Sequence, residues 1–197
     1  MVANNTIPLL DPPEEKVGVH RLCRREFRGL LHAGVIDEGC GVELLDGVIV
    51  DLQMQTPAHS VSCELAQGAF HNLGEGMHIR SQKPLALEEF SEPEPDVVIV
   101  AGAVRDYAVE HPTPDAVKLL IEVSDSSLSK DRGRKLRAYA RGGIREYWIV
   151  NLADRRLEVY RAPSGETYAE SCFLSGDETA VADEIPGIVV RAGDLFA

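Results

Sequence analysis

Cysteine is scarce in this chain and has no pattern. Cys23, Cys40, Cys63 and Cys172 include no CxxC pair, so neither a disulfide framework nor a zinc knuckle is expected, and reduced cytoplasmic thiols are the simpler reading. The 6 histidines are equally dispersed and contain no HExxH, which argues against a tetrahedral zinc site and leaves any metal to carboxylates. Long apolar runs are missing too. The longest, 97–104, falls far short of the roughly 20 residues that cross a bilayer. The start, MVANNTIPLLDPPEEK, has no cationic segment followed by an apolar one, so no secretory leader is expected and the expected setting is cytoplasmic.

An excess of positive charge is also lacking. The net charge is −12, which speaks against nucleic acid as a partner, because nonspecific affinity for it comes largely from Lys and Arg. The distribution of charge points the other way. Between Lys130 and Arg161 there are ten Lys or Arg against four Asp or Glu, a basic stretch in an otherwise strongly acidic chain. Arg21, Arg24, Arg25 and Arg28 form a smaller cluster. A solvated helix face balancing acid elsewhere explains such charges equally well.

What is present is ordinary globular composition: 197 residues, 44% hydrophobic and 26% charged, enough for one well-buried core. Residues 1–18 are proline-rich and aperiodic and read as an arm, with a single domain over 19–197. Helical spacing predicts helices over Val19–Leu31, Ala58–Leu73 and Ser129–Arg141, each closed by glycine. Asp46-Gly47 between two β-rich runs predicts a tight hairpin. Strands are expected at Met77–Gln82, Leu85–Glu88, Asp96–Ala101, Val117–Ser124, Glu146–Asn151 and Arg156–Arg161, with short pieces such as Gly187–Val190 in the tail. Helices on a mixed sheet make the class α/β or α+β.

Two expected strands each offer a carboxylate in apolar company. EPDVVIV places Asp96 at a strand start, and KLLIEVSDSS places Glu122 inside one. A buried Glu122 needs a cation, a donor or a wet cleft. Alternation puts Leu120, Glu122 and Ser124 on one face and Leu119, Ile121 and Val123 on the other. Lys135 follows on the next helix, with Asp131 four residues before it and Tyr139 four after, all on one helix face. Two carboxylates and an ammonium suit phosphodiester hydrolysis: the acids hold a hard divalent cation, and the lysine serves the nucleophile or the developing charge. Taken singly, Asp96 also reads as a turn residue and Lys135 as a surface lysine.

The order ELLDG (43–47), His59, PDVVIV (95–100), LLIEVSDSS (119–127), DRGRKLRAYARGGIREYWIVN (131–151), then PGIVV and a terminal LF, resembles the Uma family of bacterial restriction endonucleases, within the PD-(D/E)XK superfamily. The resemblance spans roughly 19–196. It implies a restriction-endonuclease-like mixed central sheet flanked by helices, preceded by an N-terminal helix and β-hairpin. It also implies Asp96 and Glu122 as motif acids around Mg²⁺ or Mn²⁺, with Glu43 as an added metal ligand. The usual strand lysine is absent, since position 124 is Ser; Lys135 resembles its replacement on the following helix, with Lys130 a lesser substitute. Ser124, Tyr139 and His59 are auxiliary candidates, and Gln82 is a possible neighbour. Arg132, Arg134, Arg137 and Arg141 are candidate nucleic-acid contacts.

The expected activity is thus a divalent-metal-dependent endonuclease acting on DNA, with RNA as an alternative substrate, no membrane association and a homodimer as the default assembly. The alternative is a catalytically silent nuclease fold that binds nucleic acid or a protein partner. Glycoside hydrolysis also uses paired acids, but the lysine and the basic stretch speak against it.

Overall fold

The computed structural model describes residues 18–197 except 53 and 186. The arm expected over 1–18 therefore lies outside the described residues up to residue 17. Helix α1, Arg24–His32, begins five residues later than the spacing predicts. Its start is set by Glu26, whose side chain accepts from the Cys23 amide at 2.8 Å, while the Leu22 and Arg24 amides are drawn to the carbonyls of Gly47 and Glu89. β1 (Val42–Leu45) and β2 (Val48–Asp51) form the expected antiparallel hairpin. Asp46 at φ 54° and Gly47 at φ 76° take the left-handed backbone that such a turn requires.

α2, Pro57–Ala69, opens with Thr56 accepting from the His59 amide at 3.2 Å and with proline in its first turn. Six strands then build the main sheet: β3 (Met77–Ser81), β4 (Val97–Ala101), β5 (Val117–Ser124), β6 (Glu146–Asn151), β7 (Arg156–Ser164) and β8 (Thr167–Leu174). They lie side by side in chain order. All neighbours are antiparallel except β5 and β6, which are parallel. That parallel step requires a crossover, supplied by α3. It consists of Leu128–Lys130, a π-helical turn over Asp131–Lys135, and Leu136–Arg141. A small ribbon of β9 (Thr179–Val181) and β10 (Val189–Arg191) completes the chain.

The sheet is covered on both faces. Leu119, Ile121 and Val123 of β5 join Cys63, Ala66 and Phe70 of α2 and the C-terminal Ile185, Leu195 and Phe196. Leu120 joins Ala138, Tyr139 and Ile144 from α3 and its end, with Leu85 and Leu87 beside them. The alternation read from β5 therefore holds, and Glu122 and Ser124 face α3.

Two expectations need correction. Leu85–Glu88 is not a strand: apart from one isolated bridge, Glu88 to Ser91, its amides bond to loop carbonyls outside any ladder, Leu85 to Pro93, Ala86 to Pro112 and Leu87 to Leu85. The run is apolar because it is buried under α3, not because it joins a ladder. Conversely, Thr167–Leu174 is a full edge strand that the tail did not announce, because only Tyr168 of it is buried and no alternation marks it.

Candidate active site

The antiparallel pairing of β4 and β5 brings the two strand acids together. Val97 stands opposite Ile121, so the residue before β4, Asp96, lies beside Glu122, and the Asp96 amide reaches Glu122 Oε2 at 3.4 Å. Asp96 Oδ2 accepts from the Val123 amide at 2.8 Å and lies 3.2 Å from His59 Nε2 on the first turn of α2.

Glu122 is 2% exposed and is gripped from α3. Lys135 Nζ donates to its Oε1 at 2.8 Å and the Tyr139 hydroxyl donates to the same oxygen at 2.6 Å. Lys135 also reaches Glu43 Oε2 on β1 at 3.3 Å. Glu43 is fully buried; it accepts from Lys130 Nζ at 3.1 Å and from the Glu94 amide at 3.1 Å. The structure thus brings Asp96, Glu122, Lys135, Glu43, Tyr139 and His59 into one cluster. Ser124 sits just behind it, donating to Asp131 Oδ2 at 2.6 Å.

A π turn lies at this point of α3. Its extra residue lets the Leu136 amide reach back to Asp131 O, and Asp131 and Lys135 are both buried there while Arg132, Gly133 and Arg134 are half-buried between them. Such turns interrupt helices often at functional positions.

Electrostatics set the protonation states. Burial disfavours the Lys135 ammonium, but Glu122, Glu43, Asp131 and Asp96 around it win, and Lys135 is held well above its ordinary value, fully cationic. Burial pushes Glu122 up to about 8 against the pull of Lys135, with Asp96, Asp131 and Glu43 adding to the rise. Burial also raises Asp96, yet the His59 hydrogen bond and charge, Lys135 and the Val123 amide together hold it below the usual range. Asp96 in turn raises His59. Tyr139, buried against Glu122, is held far above its normal value and stays a donor.

The cluster opens into a cleft of about 280 Å³ that His59, Asp96, Glu122, Lys130, Asp131 and Lys135 help to line. Gln82, a neighbour foreseen from the strand, is there too, as are Glu94 and Asp125, which sequence reasoning missed. Both lie in loops where no periodicity marks a facing direction; only the closeness of Asp125 to the Glu122 strand hinted at it. A second groove, sharing Ser126, Ser127 and Lys130 with the first, runs on to Ser129, Gly133, Arg134 and Arg137. The other two basic candidates are committed elsewhere. Arg132 pairs with Glu158, and Arg141 pairs with Asp46, Glu88 and Glu166.

The residues fit a hard divalent cation. Asp96 lies beside Glu122, and Lys135 links Glu122 to Glu43, so three carboxylates are at hand as oxygen donors, although the ligand atoms already within 4.8 Å of one another among the described residues are those of His59, Cys63 and Asp96. Oxygen is the donor that Mg²⁺ and Mn²⁺ prefer.

No curated protein matches the chain. Among solved structures it is similar to a protein from Anabaena variabilis described as a "putative nuclease belonging to DUF820", at 16% identity and a TM-score of 0.69, over 87% of this chain and 96% of that one. This likeness is one of fold. Residues 25–193 match the family model Uma2, described as "Putative restriction endonuclease". With its mixed sheet, its covering helices and that match over most of its length, the chain belongs to the Uma2 family.

Proposed function

We propose that the chain is an endonuclease that hydrolyses DNA phosphodiester bonds with Mg²⁺ or Mn²⁺. The observation that carries this reading is the meeting of Asp96 and Glu122 from paired strands with a buried, cationic Lys135 at the floor of an open cleft. Asp96 and Glu122, with Glu43, would hold the cation. Bound there, it would activate water and neutralise charge on the phosphate in the transition state.

The protein's own side chains do the rest. Lys135 is a fully charged donor, so its part is electrostatic, favouring the extra negative charge of the pentavalent phosphate, rather than proton abstraction. Tyr139 and Lys135 fix Glu122 Oε1, and Val123 fixes Asp96, so neither carboxylate has to reorganise when substrate arrives. Arg134 and Arg137, with Ser127 and Ser129, offer cationic and hydroxyl contacts for backbone phosphates leading away from the cleft. One such site cuts one strand, so double-strand cleavage calls for a symmetric homodimer or for two successive encounters.

The test is supercoiled plasmid with Mg²⁺, Mn²⁺ or EDTA, alongside Asp96→Ala/Glu122→Ala. Metal-dependent nicking that disappears in the double variant is expected. Intact plasmid under every cation would favour the second reading, a nuclease fold that binds without cutting, to which the net charge of −12 lends some weight.

A further inference from the structure

The oxygen cluster has a softer neighbour. His59 and Cys63 are four residues apart on α2 and so share one helix face. Cys63 Sγ lies 3.6 Å from His59 Nδ1 and 4.0 Å from Nε2, and His59 Nε2 lies 3.2 Å from Asp96 Oδ2. One ligand atom from each of the three lies within 4.8 Å of the others. A tetrahedral zinc with bonds of about 2.0–2.3 Å sets its ligands roughly 3.3–3.7 Å apart, so the three need only small shifts to close on one ion. The side chains of His59 and Asp96 are 12% and 13% exposed and both line the cleft, which leaves a fourth position open towards it.

We propose that His59, Cys63 and Asp96 form a second metal site, selective for a borderline-soft divalent cation of the Zn²⁺ or Co²⁺ class and sharing Asp96 with the oxygen cluster. The donor set carries the selectivity: one thiolate, one imidazole and one carboxylate favour zinc-like ions, whereas Mg²⁺ has no use for sulfur. Coordination exchanges the Cys63 thiol proton for the cation and releases that proton to solvent, with no change of oxidation state. The inference rests on reading Asp96 as a metal ligand. It departs from the sequence expectation, because HxxxC on a helix completed by an acid from a distant strand has no linear signature.

The test titrates Co²⁺ into the full chain and follows the near-ultraviolet thiolate-to-cobalt charge-transfer band. The wild type, and a Cys23→Ser/Cys40→Ser/Cys172→Ser variant that retains Cys63, should show the band at one Co²⁺ per chain. Cys63→Ser should lose it, and His59→Gln should weaken Co²⁺ binding at least ~10-fold, which keeps the test alive if Cys63→Ser folds poorly. No band in the wild type, or a band that survives in Cys63→Ser, overturns the site. The readout uses neither nucleic acid nor turnover. Absent cobalt binding with metal-dependent nicking intact would therefore sink this site alone, and the converse would sink the nuclease reading alone.

Discussion

At the scale of single residues, the ammonium of Lys135 is what lets Glu122 and Glu43 be buried together. Removing one partner of a buried ion group leaves its charges uncompensated. Lys135→Met should therefore lower unfolding stability by about 3–5 kcal/mol in urea denaturation as well as abolish nicking. Adding Glu122→Gln should recover part of the lost stability but none of the activity; a strictly additive double variant would refute the coupling. Glu158 offers a pH test away from the proposed metal ligands. Burial raises its carboxyl, but hydrogen bonds from Arg132, Asn151 and Tyr160 outweigh that and hold it low. A carboxyl depressed in the fold adds stability above its unfolded value of about 4.3 and loses it as pH falls through the folded value. Glu158→Gln should cost about 1–3 kcal/mol at pH 7, and the gap should close as the pH falls through the depressed folded value. The strand acids were legible because a charged residue in an apolar run demands a reason. The commitments of Arg132 and Arg141 were not, because their partners Glu158 and Glu88 lie 26 and 53 residues away.

At the scale of elements, α3 is the informative piece. Sequence spacing marks its apolar stripe but gives no sign that Asp131–Lys135 is wound as a π turn. Deleting Gly133, whose surroundings are open, would remove the extra residue of the π turn, restore α-helical winding and bring Asp131 and Lys135 from four residues apart to three. Circular dichroism should then report an unchanged helix while nicking and Mn²⁺ binding are lost; retained Mn²⁺ binding would show that the turn is incidental. The hairpin, α2 and the central strands were readable because turn chemistry and burial period agree there. The loop at 84–88 and β8 were not, because an apolar loop under a helix and a half-wet edge strand each break the link between pattern and ladder.

At the scale of the whole molecule, charge governs what can be measured. In an acidic chain, binding to DNA should rest on few contacts, so replacing both Arg134 and Arg137 by Ala should lower the slope of log affinity against log salt by roughly 1.8, about 0.9 for each phosphate no longer neutralised. An unchanged slope would place the path elsewhere. Mn²⁺ at about 100 times its dissociation constant should stabilise the fold by about 2.7 kcal/mol, seen as a melting shift of roughly 5–10 °C that EDTA reverses and Asp96→Asn abolishes. The pairing of Val97 with Ile121 has one more consequence. A one-residue slip of β4 along β5 would turn Asp96 to the opposite face of the sheet and pull it away from Glu122. If Asp96 and Glu122 hold the cation as proposed, cation binding would gauge sheet register: the fraction of purified molecules that take up Mn²⁺ would count those whose strands have aligned correctly, and a preparation of the right mass and helix content could still fail that count.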